Sequence, residues 1–242
     1  MLVDFTLPIY NEEKILEENV LKLRDFLLSL NPPYQWRLVL LVNGSRDQSY
    51  QIAQELEKKY PATIMAVNIP EPGRGQALKK YWLKSEADIL AYMDADLATS
   101  LNNIPDLINP LFDDKYQISS GCRLTKKSDT ERSWSRELIS RGYNLLSRLI
   151  LDHHFLDLQC GFKAINKKAF LALAESIQDP NWFFDTELMI LGQKAGQTIL
   201  EVPISWSESR SNDRKSTVKV FRDSWLFLKN LIKFRKRLRQ MI

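Results

Sequence analysis

The residues with the clearest chemical potential are Asp94 and Asp96. They close the run Ile89-Leu90-Ala91-Tyr92-Met93-Asp94-Ala95-Asp96. An apolar strand that ends in two carboxylates one residue apart places both acids on one face, because strand side chains alternate. Carboxylates that close repel each other unless a cation sits between them. Magnesium and manganese take oxygen ligands, and protein sites commonly offer them one or two carboxylates alongside substrate phosphates. Two solvated acids in a strand-end turn produce the same pattern, so the pair needs context.

That context comes from the segments that must position it. Leu2–Pro8, Arg37–Val42, Thr63–Ile69 and Ile89–Met93 read as strands. Helical spacing falls between them, over Glu12–Leu30, Ser49–Tyr60 and Gln76–Ser85. Strands separated by helices predict a parallel sheet with right-handed crossovers, whose ligand crevice lies beyond the carboxyl ends of its strands. Three polar turns fall at that edge. Leu7-Pro8-Ile9-Tyr10-Asn11-Glu12-Glu13 follows the first strand, with Asn11 or a neighbour as the expected helix cap. Val42-Asn43-Gly44-Ser45-Arg46-Asp47 follows the second. Gly73-Arg74-Gly75 precedes a helix and suits an anion at a helix N-terminus, although it lacks the third glycine of a dinucleotide fingerprint. Further on, strands are expected at Tyr116–Cys122, Phe162–Asn166 and Thr198–Pro203. Helices are expected at 131–151, Asp185–Ala195 and Phe221–Met241.

Composition narrows the class. The chain has 242 residues, 44% of them apolar and 26% charged, enough for a real core. Its two cysteines, Cys122 and Cys160, form neither a disulfide framework nor a zinc spacing, and they suit a reducing compartment. Neither a secretory leader nor a transmembrane helix is expected. The net charge of +4 is unevenly spread. From Ser207 onward eleven Lys/Arg face three acids, a tail of +8 on a body of −4. Such a tail seeks anions. Phe227, Leu231, Phe234, Leu238 and Met241 recur at helical spacing among these basic residues. A helix of that kind lies on an anionic membrane surface or packs on its own domain. Aromatic residues interleaved with a basic groove are not evident, so nucleic acid is not an expected partner.

Taken together the motifs resemble family 2 glycosyltransferases of the GT-A fold. They are most similar to the polyprenyl-phosphate (dolichyl-phosphate) sugar synthase branch. The resemblance runs through the segments above and on through Gly121-Cys122-Arg123, Asp157-Leu158-Gln159-Cys160-Gly161-Phe162-Lys163, Phe184-Asp185-Thr186-Glu187-Leu188 and Glu201-Val202-Pro203-Ile204-Ser205-Trp206. The runs Asp94–Thr99 and Gln159–Lys163 look most like dolichyl-phosphate glucosyltransferases.

The resemblance implies an α/β fold with a mixed, mainly parallel sheet flanked by helices. It covers residues 1–220, and 221–242 form a basic amphipathic helix. It implies an inverting, metal-dependent hexosyltransferase acting from a nucleotide-sugar, with UDP favoured and GDP open, onto a polyprenyl phosphate. Pro8, Tyr10, Glu12 and Asn43 would line the nucleotide pocket, with Gly73 and Arg74 beside it. Asp94 and Asp96 would hold the diphosphate through Mg2+ or Mn2+. Arg123, and Arg210, Arg214 or Lys215, would meet phosphates. Asp157 would sit near the reacting centre, and Asp185 and Glu187 in the acceptor region. The site is expected in the cytoplasm, with a peripheral position on the cytoplasmic membrane face open.

Two departures stand out. Val42 and Asn43 occupy places where family members often carry acids, and Ala98 stands where mannose-transferring relatives often carry Gln. Two other functions remain open from the residues. One is transfer to a sugar hydroxyl, which needs a carboxylate base, Asp185 first and Asp157 second. The other is non-catalytic binding of a nucleotide-sugar. His153 and His154 are read as loop or surface residues.

Overall fold

The computed structural model describes residues 1–113, 115–131, 134–207 and 220–240. Its first half alternates strand and helix: β1 (Leu2–Ile9), α1 (Leu16–Leu30), β2 (Gln35–Asn43), α2 (Ser49–Lys59), β3 (Ile64–Ile69), α3 (Arg74–Lys84) and β4 (Ile89–Met93). The second half runs α4 (Ile104–Ile108), β5 (Ile118–Cys122), β6 (Asp129–Glu131), α5 (Trp134–Leu151), β7 (Phe162–Asn166), α6 (Lys167–Ala174), α7 (Phe184–Lys194), β8 (Ile199–Pro203), β9 (Ser205–Ser207) and α8 (Val220–Gln240). The seven-stranded sheet has the order β3-β2-β1-β4-β7-β5-β8. Only β7 runs against its neighbours, pairing antiparallel with both β4 and β5. The mixed, mainly parallel sheet expected from the sequence is therefore present.

Burial on both faces explains why the strands read as continuous apolar runs. Val3, Phe5, Leu7 and Ile9 of β1 face a core built with Leu16, Val20, Leu23 and Leu27 of α1. Leu90 and Tyr92 of β4 face the opposite core, which holds Trp82, Phe170 and Phe184. Asp4 is fully buried among these apolar residues. It stays tolerable because Arg37 grips it with two bonds of 3.0 Å, and the Tyr81 and Ser85 hydroxyls donate at 2.5 and 2.6 Å. This cluster pins the amino-terminal part of β1 to β2 and α3, away from the sheet edge that carries the polar turns.

One expectation changes and one open alternative is decided. The first helix begins at Leu16 rather than Glu12, and Asn11 does not cap it. Asn11 has φ 55° and spends its side-chain oxygen on the Arg46 N–H, 2.8 Å away. The residues before Leu16 form a turn, with Ile15 and Leu16 N–H both donating to the Glu12 carbonyl. The second concerns α8, left open between a membrane surface and packing on its own domain. Its apolar stripe packs on the domain: Leu231, Phe234 and Leu238 are buried. Phe227 meets Tyr143 with ring centroids 5.1 Å apart, and Phe234 meets Phe183 at 5.7 Å. Arg237 reaches Glu187 at 2.5 Å and the Ser176 carbonyl at 3.1 Å. Met241 lies outside the described residues. No helix among the described residues is long and apolar enough to cross a membrane.

The loop after α5 is held by His153. Its Nδ1 accepts the Phe155 N–H at 3.1 Å, so Nε2 carries the proton towards Ser147 Oγ at 3.0 Å. Burial, with Arg148 and His154 adding to it, depresses the imidazole to about 4.

Two predictions follow from these buried groups. Asp4→Ala leaves Arg37, Tyr81 and Ser85 without their acceptor and should lower the unfolding free energy by roughly 3 kcal/mol, read from urea denaturation. Protonating His153 removes the Nδ1 acceptor. Because its folded value lies below the ordinary 6.5, the stability it contributes is intact above that value and is lost as pH falls towards about 4. The midpoint of thermal unfolding should drop over that window, and His153→Gln should flatten the drop.

Candidate active site

The carboxyl ends of β1, β2 and β4 meet at one edge. Parallel pairing sets Pro8 beside Leu41 and Ile9 beside Val42. Pro8, Tyr10, Glu12 and Asn43 are thereby brought to adjacent strand ends, with Tyr10 46% exposed and Asn43 buried. The two turns are sewn together. Ser45 Oγ accepts the Asn11 N–H at 3.0 Å, Ser49 Oγ accepts the Glu12 N–H at 2.9 Å, and Asp47 accepts the Glu13 N–H at 3.1 Å. Gly44, at φ 68°, lets the second turn pass Pro72, since a Cβ there would lie 2.9 Å from the Pro72 backbone.

Asp94 and Asp96 follow β4 directly. Asp96 accepts the Ala98 N–H at 3.2 Å, which bends the chain through Leu97 at φ 51°. The turn is also held from α1, where the Asn19 side-chain amide donates to the Ala95 carbonyl at 2.9 Å. Asp94 remains 46% exposed. Its carboxylate lies against the backbone of Gly161, where an added Cβ would come 2.2 Å from Oδ2. Among the described residues no three His, Cys, Asp or Glu converge on a metal position. A divalent cation here would draw on Asp94 and Asp96. Both offer hard oxygen donors suited to Mg2+ or Mn2+, and phosphate and water would complete its shell.

Arg74 opens α3 and bridges two acids. Its guanidinium lies 3.7 Å from Asp94 and 3.3 Å from Asp185. It sits over the rings of Tyr92 at 4.9 Å and Trp182 at 4.7 Å. The flanking glycines are needed for packing. A Cβ on Gly75 would meet Phe184 Cβ at 2.5 Å and the Asn181 carbonyl at 2.7 Å, and one on Gly73 the Pro180 carbonyl at 2.8 Å. The Gln76 N–H is already given to Pro180 at 3.0 Å. What this turn delivers to the edge is the arginine side chain.

The two buried acids are both matched by cations. Asp157 is fully buried and takes a fork from Arg123, at 2.7 and 2.9 Å, plus the Arg123 N–H at 3.1 Å. Burial alone would raise its carboxyl, but Arg123 holds it below the usual range. Glu201 of β8 anchors the same loop by accepting the Leu156 and Asp157 N–H groups, each at 2.9 Å. Asp185 is 1% exposed. It takes a short hydrogen bond from the Tyr92 hydroxyl and lies 3.2 Å from Lys163 Nζ. Lys163, itself fully buried, also donates to the Leu158 and Cys160 carbonyls. Burial raises the Asp185 carboxyl, with Arg74 opposing, and lowers the Lys163 ammonium. Glu187 faces away from this edge, bonded to Arg237 and to the Gln178 and Asp179 N–H groups.

Of the residues named from the sequence, the structure gathers Asp94, Asp96, Arg74, Arg123, Asp157 and Asp185 around β4, β5 and β7. Arg210, Arg214 and Lys215 lie outside the described residues. The sequence reading missed Lys163, Tyr92, Trp182, Asn19 and Glu201. Lys163 had a signal: it follows Gly161 by two residues in a strand too apolar to leave a lysine in water.

Comparison with known proteins places this geometry. Residues 4–173 match the family model described as glycosyl transferase family 2. Glycosyltransferase AglD of Haloferax volcanii is 32% identical over 204 residues, which are 84% of this chain and 33% of that protein. Human dolichyl-phosphate beta-glucosyltransferase is 27% identical over 213 residues, 83% of this chain and 66% of that protein. The chain thus spans only part of each relative. Among solved structures, glucosyl-3-phosphoglycerate synthase from Mycobacterium tuberculosis, in complex with Mn2+, UDP and phosphoglyceric acid, superposes with a TM-score of 0.71. That match is 19% identical and covers 97% of this chain and 78% of that one. The family match runs from β1 through α6 and so takes in every strand that frames the paired acids. The chain belongs to glycosyl transferase family 2.

Proposed function

We propose that this chain moves a hexose, with glucose favoured, from a uridine diphosphate sugar to a polyprenyl phosphate, inverting the anomeric carbon. One observation carries the choice of acceptor: among the described residues the oxygens of both buried acids at the edge are already engaged by protein groups, Asp185 included, although burial raises its carboxyl to about 7. Asp157 is closed by Arg123, and Asp185 by Lys163, Arg74 and the Tyr92 hydroxyl. A sugar hydroxyl needs such a base. A phosphate monoester is already anionic near neutral pH and needs only placement and charge neutralisation. The dolichyl-phosphate glucosyltransferases among the relatives support the same acceptor, and the UDP in the structural neighbour supports the donor.

In this reading Tyr10, Pro8, Glu12 and Asn43 take the nucleoside. Asp94 and Asp96 would hold Mg2+ or Mn2+, which would supply positive charge against the departing diphosphate. Arg123 spends Nε and one Nη on Asp157, and the remaining Nη is the donor for a substrate phosphate. An acceptor oxygen bonds to the anomeric carbon as the bond from that carbon to the diphosphate breaks. Nucleoside diphosphate leaves, and no proton moves. The exposed basic face of α8, with Lys229, Lys233, Arg235, Lys236 and Arg239, supports approach to an anionic lipid surface on the cytoplasmic side by charge, without insertion of its buried stripe.

Incubation with a panel of nucleotide sugars and a short polyprenyl phosphate should yield a glucosyl phospholipid from the uridine donor, detected by mass spectrometry. A product only from guanosine donors, or none from any, would refute the assignment. Gly161→Ala should weaken manganese-dependent UDP binding roughly 10–100-fold in calorimetry, because the new methyl displaces Asp94.

A further inference from the structure

Arg74 lies where a cation bound to Asp94 would need the carboxylate. Its side chain is 90% shielded from solvent, with the guanidinium 3.7 Å from Asp94 and 3.3 Å from Asp185. The contact with Asp94 is longer than a hydrogen bond, while the contact with Asp185 falls within the usual limit for one. The guanidinium also lies over the Tyr92 and Trp182 rings, at 4.9 and 4.7 Å, contacts that do not depend on Asp94. Asp185 in turn retains Lys163 and Tyr92 as partners when Arg74 is removed. The arrangement is a counter-ion on a firm mount, touching the acid pair loosely.

We propose that Arg74 is a positioning residue that makes the binding of the divalent cation depend on the binding of the donor. Without donor, its positive charge neutralises Asp94 and repels a second cation from the acid pair. When a nucleoside diphosphate arrives, the phosphates attract the guanidinium, Asp94 is released, and the carboxylate pair regains its charge for the metal. The metal and the nucleotide thereby strengthen each other's binding, and by linkage the effect is equal in both directions. This rests on the proposed nucleotide-sugar reading, and it adds the residue that creates the coupling.

The test is calorimetric titration of the full chain with Mn2+ alone, UDP alone, and each in the presence of the other. In wild type, Mn2+ alone should bind weakly, and UDP should tighten it by roughly tenfold or more. In Arg74→Gln, Mn2+ alone should bind about tenfold more tightly than in wild type, and the UDP-induced gain should fall about tenfold, to the part that direct contact of phosphate with the metal supplies. In Arg74→Lys, which keeps the charge, Mn2+ alone should stay near the wild-type affinity. Unchanged or weaker binding of Mn2+ alone to Arg74→Gln, with the UDP-induced gain as large as in wild type, would overturn the role of Arg74 and leave the functional reading standing. No binding of UDP to wild type with or without Mn2+ would overturn both. A measurement independent of the folding of Arg74→Gln is available in the wild-type chain. The Arg74 Nε–Hε nuclear magnetic resonance signal, assigned by its loss in Arg74→Lys, should shift when UDP and diamagnetic Mg2+ are added together. A signal unmoved at saturation would count against the proposal.

Discussion

An ionised carboxylate cannot sit in a protein interior without compensation, and the active edge of this chain is arranged around that constraint. Asp157 and Asp185 are both buried there. Each has drawn a cation inward, Arg123 to the first and Lys163 with Arg74 to the second. These pairs do more than neutralise charge. Arg123 ties the end of β5 to the loop at Asp157, and Lys163 ties β7 to the carbonyls that lead into Gly161. Gly161 then fixes the place of Asp94. The exposed acid pair thus inherits its geometry from the buried, compensated ones.

The amino-terminal half of β1 shows the same physics without the chemistry. Asp4 is as buried as Asp157 and equally well bonded, by Arg37, Tyr81 and Ser85. It lies near the edge where β1, β2 and β4 begin, opposite the crevice, and its bonds hold β1 to β2 and α3. Burial and pairing alone do not mark a functional acid. Position at the carboxyl edge does, as expected for open α/β sheets.

Much of this was readable from the chain. The apolar run into Asp94-Ala95-Asp96 announced a strand, and in the structure Leu90 and Tyr92 face one core while Ala91 and Met93 face the other. The gaps have local causes. Asn11 resembled a helix cap, but the first turn is bonded across to the second, a contact that sequence spacing does not encode. Gly73 and Gly75 suited an anion at a helix end, and the sequence could not show that Pro180, Asn181 and Phe184, about a hundred positions away, press against them. Helical periodicity in α8 revealed an apolar face and could not say that Tyr143 and Phe183 cover it. Lys163 escaped because a lysine reads as surface until its burial is seen.

The central claim is that the buried acids are closed by cations, so that the acceptor must bring its own negative charge. Its most direct test is competition between a short polyprenyl phosphate and the matching polyprenol alcohol, with UDP-glucose as donor and turnover followed by mass spectrometry. The account predicts transfer to the phosphate and none to the alcohol. Comparable transfer to the alcohol would require a carboxylate base in the site and would contradict it.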